Sequence, residues 1–200
     1  MKKKASKSPK KVLKAHKINI PNILTLGRIW AIPLIVLTMY FIPRSSVMAW
    51  ISVVLFALAG LTDYFDGYFA RHLDQGSRFG RILDPIADKL LVGAVLVMLV
   101  FTDRIDGLMI IPALIILCRE FLVSGLREFL AEIKVGLPVT KLAKWKTTFQ
   151  MVALPVLMVA DVCPLFRWVG QIGLCFAALM TVITGYDYWR SGSKYMNDEK

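Results

Sequence analysis

The sequence predicts an all-α membrane protein of about six transmembrane helices, preceded by a basic N-terminal arm. Three observations support this fold class. Hydrophobic residues make up 56% of the 200 residues, and the mean hydropathy is +0.59, which is more apolar than a soluble domain of this length requires. The apolar residues fall in runs of roughly 20, long enough to cross a bilayer as helices. Most basic residues lie between alternate runs, as expected for a chain that crosses the membrane repeatedly.

Residues 1–19 are predicted to form a basic cytoplasmic arm. Eight of the first 17 residues are lysines. Next to a membrane span, such a cluster marks the cytoplasmic side and contacts anionic lipid. The stretch KKVLKAHKINI mixes apolar residues with lysines and indicates a short interfacial helix, the alternative being disorder up to about residue 10. The arm lacks interleaved aromatic residues, so we expect no nucleic-acid partner.

Six spans follow the arm and form one predicted membrane domain, residues 20–190, with residues 191–200 as a cytoplasmic tail. The fifth span is the shortest and contains Pro155, but omitting it would move the C-terminus to the opposite side. The loops PRSS, TDRIDG and DVCPLFR are short and are predicted to lie on one side. The spans are placed at about 22–42, 47–70, 82–101, 108–131, 147–161 and 168–189.

Basic residues are unequally divided between the two sides that these spans define. The side of the N-terminus holds 18, whereas the opposite side holds only Arg44, Arg104 and Arg167. Because cytoplasmic loops are enriched in Lys and Arg, this bias predicts two cytoplasmic termini and an even number of spans. The first apolar run contains Arg28 and Pro33 and is expected to be a retained helix rather than a cleaved signal.

The stretch DYFDGYFARHLDQGSRFGRILDPIAD, residues 63–88, places four aspartates at the ends of two predicted membrane helices. Asp63 and Asp66 are three residues apart and share a helix face with Gly67 and Arg71. On the next helix, Gly80, Asp84 and Asp88 follow at four-residue steps and also share a face. Both aspartate pairs are therefore expected near the cytoplasmic ends of adjacent helices.

Four carboxylates at this depth need a compensating charge. One Asp in mid-span costs about 2.5–3.5 kcal/mol, and salt bridges at the helix ends would account for one Asp–Arg pair but not for four aspartates. Hard divalent cations such as Mg²⁺ prefer carboxylate oxygens, and phosphates of a substrate often complete their coordination. Two such ions, about 3.5–4 Å apart, suit displacement at phosphorus. Gly67 and Ala70 leave room for a ligand, and Arg71 can neutralise phosphate charge.

The spacing of these residues resembles the signature of the CDP-alcohol phosphatidyltransferase family. The fixed positions of that signature correspond here to Asp63, Asp66, Gly67, Ala70, Arg71, Gly80, Asp84 and Asp88. The resemblance implies a six-helix membrane fold and a site for two Mg²⁺ or Mn²⁺ ions. It also implies a reaction in which an alcohol attacks the lipid-side phosphorus of a CDP-linked lipid and displaces CMP.

The same resemblance assigns roles to individual residues. The metal ligands would be Asp63, Asp66, Asp84 and Asp88, with Asp88 also the general base and Arg71 a second catalytic residue. The CDP-lipid pocket would be lined by Gly67, Ala70, Arg71 and Gly80, and bordered by Asn22, Thr25 and Arg28 near the start of the first span. Asn22 has an alternative role as a helix cap.

Further segments resemble the bacterial branch of this family that uses glycerol 3-phosphate as the acceptor, namely IPNILTLGRIWAIP, REFLVSGLREFLA, KLAKWKTTFQ and LMTVITGYDYW. Ala143 departs from the glycine that is common in the third segment. Arginine in an apolar run is costly unless paired, and guanidinium binds phosphate bidentately. The acceptor phosphate is therefore expected at Arg119, Lys141, Lys144 and Lys146.

Alternatives remain for these cations. Arg119 can instead form a structural ion pair with Glu120, and Arg127 with Glu128, while the lysines can simply be positive-inside charge. The roles of Ser124 and Tyr186 are left open.

The expected activity is transfer of the phosphatidyl group from CDP-diacylglycerol to glycerol 3-phosphate, giving phosphatidylglycerophosphate and CMP in phospholipid biosynthesis. A sister enzyme with another acceptor, such as a cardiolipin synthase using phosphatidylglycerol, is the nearest alternative. A cation transporter and an aspartate-rich prenyltransferase are more distant ones. The expected setting is the bacterial inner membrane, with the lipid bilayer as partner and a homodimer as one assembly.

Overall fold

The computed structural model describes the backbone of residues 20–72, 78–133 and 141–196. Within these ranges it does not describe the side chains of residues 20–22, 63–72, 78–82, 132, 141, 143 and 194–196. Within these ranges the chain is all-α, which confirms the predicted fold class. Short 3₁₀ turns lie at Ile42–Arg44 and Gly107–Met109, and no described residue is in a strand. The described α-helices are α1 (Ile20–Tyr40), α2 (Ser46–His72), α3 (Arg78–Phe101), α4 (Ile110–Glu132), α5 (Lys141–Met158) and α6 (Pro164–Met196).

Three segments of the described chain are long and apolar enough to cross a membrane, namely Ile23–Arg44, Gly107–Ala131 and Pro164–Ser193. Six α-helices in the described ranges are compatible with six spans, but the span count itself stays a prediction. The positions of the six helices agree with the predicted spans, but the observed helix ends differ from the predicted ones. Helix α5 begins at Lys141, six residues before its predicted span, and α6 continues to Met196.

These extensions have a common cause. Hydropathy marks where the apolar run ends, whereas the backbone hydrogen-bond ladder of a helix continues through polar residues. At 1.5 Å per residue, the 33 residues of α6 extend about 50 Å, more than the hydrocarbon thickness of about 30 Å. Residues 191–196 of the predicted tail therefore belong to α6. The predicted arm and interfacial helix, residues 1–19, lie outside the described residues.

The three short interhelical loops lie at one end of the helix bundle, as predicted. The Tyr40 ring stacks on Phe101 with their centroids 5.6 Å apart, which joins the loop after α1 to the end of α3. Arg104, in the loop after α3, forms an ion pair with Asp161, in the loop after α5. The carboxyl-terminal halves of α2, α4 and α6 consequently point to the opposite end.

Glycine residues allow α5 to pack closely against α2 and α6. A Cβ atom added to Gly60 of α2 would lie 2.8 Å from Cε of Met151 on α5. A Cβ atom added to Gly170 of α6 would lie 2.6 Å from Cγ of Leu157 on α5. Membrane helices commonly use small residues in this way. The contact at Gly60 brings α5 against α2 one helical turn before Asp63.

Arg104 connects the short loops from a buried position. Only 1% of the residue is exposed, and its guanidinium donates to the carbonyl oxygens of Met158 and Thr102, each at 3.1 Å, and to the Asp161 carboxylate. Burial lowers the pKa of Arg104, and the charge of Asp161 opposes that shift. Arginine remains charged throughout the physiological range, so these bonds stabilise a desolvated cation.

Replacing Arg104 with methionine is expected to destabilise the protein by about 2–3 kcal/mol, because hydrogen bonds to a charged group are lost while the side-chain volume is largely kept. For a chain of this size, the midpoint of thermal unfolding in detergent should fall by roughly 5–10 °C. Arg44→Met, at an exposed position of the same end, is the matched control and should shift the midpoint by less than about 2 °C. Equal midpoints for Arg104→Met and the unmodified protein would refute this role.

Candidate active site

A cavity of about 1150 Å³ opens at the end of the bundle opposite the short loops. Its walls come from α2, α3, α4, α5 and from Tyr188 on α6. The volume is large enough for a lipid head group together with a second small substrate. The charged residues in its walls are Asp84, Asp88, Lys89, Arg119, Glu120, Arg127, Glu128, Lys144 and Lys146.

Asp84 and Asp88 lie one turn apart on α3, and both line the cavity. Half of the Asp88 side chain is exposed. Helix α1, which packs against α3, holds both carboxylates with buried side chains. The Thr25 hydroxyl donates to Oδ1 of Asp84, and Nη1 of Arg28 donates to Oδ1 of Asp88 at 2.5 Å.

Thr25 and Arg28 are predicted from the sequence to border the CDP-lipid pocket, and their bonds to the two aspartates are not predicted. In the structure the two residues orient the aspartate pair, and their contact with a nucleotide stays a prediction. One signal was available. Thr25 and Arg28 are three residues apart, and Asp84 and Asp88 are four apart, so each pair lies on one face of its helix. If α1 and α3 are adjacent, each residue of one pair can therefore contact one residue of the other pair.

The aspartate pair fits a hard divalent cation. Two carboxylates on one helix face present the oxygen donors that Mg²⁺ and Mn²⁺ prefer. The described side chains contain no group of three or more His, Cys, Asp or Glu residues placed to hold a metal. Of the four predicted metal ligands, Asp84 and Asp88 are the two whose side chains the structure describes.

The remaining signature residues are placed by their backbone alone. Helix α2 runs without interruption through Asp63 to Arg71, and α3 has already begun at Gly80, so both halves of the signature are helical as predicted. The predicted site residues whose side chains lie outside the described set are Asn22, Asp63, Asp66, Gly67, Ala70, Arg71, Gly80 and Lys141.

Arg119 and Lys146 meet at one carboxylate of the cavity wall. Nη1 of Arg119 lies 3.8 Å from Oε1 of Glu120, and Nζ of Lys146 bonds to the same oxygen. On its other side, Arg119 donates to the Thr184 hydroxyl at 3.1 Å and lies over the Tyr188 ring, 5.6 Å from the centroid. The two cations predicted from separate segments are therefore close together, and the alternative ion pair with Glu120 is also present.

Lys144 is the remaining predicted acceptor residue with a described side chain, and the sequence leaves the roles of Ser124 and Tyr186 open. Lys144 is exposed and lines the cavity, as does Ser124. Tyr186 is 65% exposed and is not part of the cavity wall, whereas Tyr188 is 5% exposed and is. Two residues correspond to a rotation of about 200° around a helix, so the two tyrosines face opposite ways. Two buried residues of the cavity wall are not predicted from the sequence, namely Tyr188 and Gln150 of α5.

A helical membrane protein whose cavity joins an aspartate pair to an arginine–lysine cluster can bind phosphate esters together with a divalent cation. The family model for CDP-alcohol phosphatidyltransferase matches residues 18–183. The chain belongs to the CDP-alcohol phosphatidyltransferase family.

Three named relatives match between 73% and 91% of the chain. A Rickettsia bellii protein named CDP-diacylglycerol–glycerol-3-phosphate 3-phosphatidyltransferase is 50% identical over 180 residues, covering 88% of this chain and 97% of the relative. A protein of the same name from Cereibacter sphaeroides is 40% identical over 220 residues, covering 91% and 99%. An Arabidopsis thaliana relative, named as form 2 of this enzyme, is 37% identical over 161 residues, covering 73% and 66%.

Proposed function

We propose that this protein transfers the phosphatidyl group of CDP-diacylglycerol to glycerol 3-phosphate, releasing CMP and forming phosphatidylglycerophosphate. It would thus be a phosphatidylglycerophosphate synthase of phospholipid biosynthesis. The observation that carries the proposal is one cavity that holds both the Asp84–Asp88 pair and the Arg119–Lys146 cluster. The names of relatives that match 88% and 91% of the chain support the same donor and acceptor.

In the proposed reaction, a hydroxyl oxygen of the acceptor forms a bond to the phosphorus that carries diacylglycerol. The bond from that phosphorus to the bridging pyrophosphate oxygen breaks, and the oxygen leaves with CMP. Asp88 accepts the hydroxyl proton, and its bond to Arg28 fixes the direction of the carboxylate. Arg71 is proposed to neutralise phosphate charge, and Gly67, Ala70, Gly80 and Asn22 are proposed to belong to the CDP-lipid pocket, as the family signature implies.

Mg²⁺ or Mn²⁺ ions held by Asp63, Asp66, Asp84 and Asp88 would neutralise pyrophosphate charge and stabilise the leaving phosphate. The chain itself contributes the geometry of the ligand set. Thr25 and Arg28 tie Asp84 and Asp88 to α1, so the pair is oriented before substrate arrives. Such preorganisation avoids a reorganisation cost during the reaction.

The acceptor phosphate is proposed to bind to Arg119 and Lys146, with Lys144 and Lys141 adding positive charge at the entrance. Arg119 is 13% exposed and Lys146 is 4% exposed, so their charges are poorly screened by water. Glu120 already pairs with both cations, which lowers the cost of burying them. A phosphate entering the cavity would meet a cluster whose spacing is set by Glu120, Thr184 and the Tyr188 ring.

We further propose six spans in a bacterial inner membrane, with both termini cytoplasmic. The excess of basic residues on the side of the N-terminus supports this orientation. The cavity then opens toward the cytoplasm, where the water-soluble acceptor is found, while the acyl chains of the donor stay in the bilayer. The basic arm would contact anionic lipid. A homodimer is one assembly compatible with this arrangement.

An acceptor panel tests the function. Purified protein in detergent is supplied with CDP-diacylglycerol, Mg²⁺ and one radiolabelled acceptor at a time, and CMP release and labelled lipid are measured. Release with glycerol 3-phosphate is expected. Release with phosphatidylglycerol alone would instead identify a cardiolipin synthase, and no release with any acceptor would overturn the enzymatic proposal.

A further inference from the structure

Gln150 is a buried residue of the cavity wall, and its side-chain oxygen has no hydrogen-bond partner among the described residues. The residue is 4% exposed, lies on α5 and forms part of the cavity wall. Within the described part of the chain, its amide oxygen Oε1 is buried and accepts no hydrogen bond. More than nine in ten buried polar groups in proteins are paired, so an unpaired acceptor in a cavity wall is placed to receive a hydrogen bond from a molecule that enters the cavity.

The position of Gln150 relates it to the phosphate-binding cluster. Gln150 follows Lys146 by four residues, so the two side chains share a face of α5 and are separated by about 6 Å along its axis. The next residue, Met151, packs at Gly60 of α2, one turn before Asp63. The Gln150 amide therefore lies farther than Lys146 from the start of α5. It belongs to the part of α5 that packs against α2, the helix that carries Asp63 and Asp66.

Arg119 presents a complementary unpaired group in the same cavity. Its Nε is a buried donor that has no hydrogen-bond acceptor among the described residues. A ligand that satisfies both groups must carry an acceptor for Arg119 and a donor for Gln150. A phosphate oxygen meets the first requirement, and an aliphatic hydroxyl meets the second.

We propose that Gln150 is a specificity-determining residue that accepts a hydrogen bond from the secondary hydroxyl of the acceptor, the hydroxyl that does not react. This inference rests on the proposed function, because it assumes that glycerol 3-phosphate occupies the cavity. Arg119 and Lys146 hold the phosphate, Gln150 holds the central hydroxyl, and the terminal hydroxyl is left to attack. A site with a buried group of this kind discriminates against analogues that lack the matching hydroxyl, because the group then stays unpaired.

The test compares glycerol 3-phosphate with 3-hydroxypropyl phosphate, which lacks only the secondary hydroxyl. For the unmodified protein, kcat/KM should favour glycerol 3-phosphate by about 10- to 100-fold. In Gln150→Met, which keeps the length of the side chain and removes the amide, kcat/KM for glycerol 3-phosphate should fall by about 10-fold or more. The value for the analogue should change little, so the preference should largely disappear.

Two further variants complete the test. Gln150→Glu retains an oxygen that accepts a hydrogen bond and should keep the preference, while its charge weakens binding of both anionic acceptors. Gln171→Met, at a glutamine of α6 outside this cavity, is the matched control and should behave as the unmodified protein. If Gln150→Met does not fold, Gln150→Ala is measured in the same comparison.

The inference and the proposed function fail in distinguishable ways. An unmodified protein that releases CMP with neither acceptor refutes the function itself. An unmodified protein that uses both acceptors equally, or a Gln150→Met variant that retains the full preference, overturns the role of Gln150 and leaves the function standing.

Discussion

Replacing Asp88 with asparagine is expected to lower kcat by about 10²- to 10⁴-fold while leaving the Kd for CDP-diacylglycerol within a few-fold of its original value. A carboxylate that takes the acceptor proton contributes a factor of this size, and an amide cannot replace it. Asparagine keeps the shape of the side chain and one oxygen that can accept from Arg28. Single-turnover CMP release and equilibrium binding of the donor lipid measure the two quantities separately.

Asp106→Asn, at an exposed aspartate of the opposite end, provides the control and should leave both quantities unchanged. Normal turnover in Asp88→Asn would refute the role of Asp88 as the base. A loss of donor binding as large as the loss of kcat would assign Asp88 to binding alone.

Replacing Arg119 with alanine should raise the KM for glycerol 3-phosphate by about 10- to 100-fold and change the KM for CDP-diacylglycerol by less than about 3-fold. The guanidinium is mostly buried, and a charge-assisted bond to phosphate at such a site is worth about 1.5–3 kcal/mol. Arg119→Lys should recover only part of the loss, since an ammonium cannot make a bidentate contact.

Arg127→Ala is the matched comparison for Arg119. The Arg127 guanidinium lies over the same Tyr188 ring, 5.4 Å from its centroid, but Arg127 is exposed. Water and salt screen an exposed charge, so its removal should raise the acceptor KM by less than about 3-fold. If Arg119→Ala raises the KM values for glycerol 3-phosphate and CDP-diacylglycerol equally, the ion pair between Arg119 and Glu120 has only a structural role.

The sequence predicted the helices and the signature well because both are encoded locally. Apolar runs of the right length define the helices, and spacings of three and four residues place Asp84 and Asp88 on one face without any tertiary information. The end of a helix is less well encoded. Lys141 and Met196 lie in polar segments where hydropathy no longer reports helix formation.

The contacts that complete the candidate site depend on packing between distant helices. Thr25 and Asp84 are 59 residues apart, and Arg28 and Asp88 are 60 apart, so their matching spacings could not be paired without knowing that α1 packs against α3. The role of Gln150 is even less predictable from sequence, because a glutamine in an apolar helix indicates neither a cavity nor an unpaired oxygen.

The Arg119–Glu120 question shows a different limit of sequence reasoning. From the sequence alone, the ion pair and the phosphate site are alternatives, yet the structure contains the pair within the cavity wall. A buried cation needs a partner before the substrate arrives, and the same cation can still serve a ligand afterwards. Residue identity alone does not separate these two roles. The change in the KM for glycerol 3-phosphate in Arg119→Ala separates them.

The most direct test of the account follows the acceptor oxygen through the reaction. Glycerol 3-phosphate labelled with ¹⁸O at its terminal hydroxyl is incubated with CDP-diacylglycerol, Mg²⁺ and the purified protein, and the products are analysed by mass spectrometry. Attack at the lipid-side phosphorus predicts one ¹⁸O in each phosphatidylglycerophosphate and unlabelled CMP in equal amount. Labelled CDP-glycerol with phosphatidic acid, or no labelled lipid at all, would contradict phosphatidyl transfer to glycerol 3-phosphate.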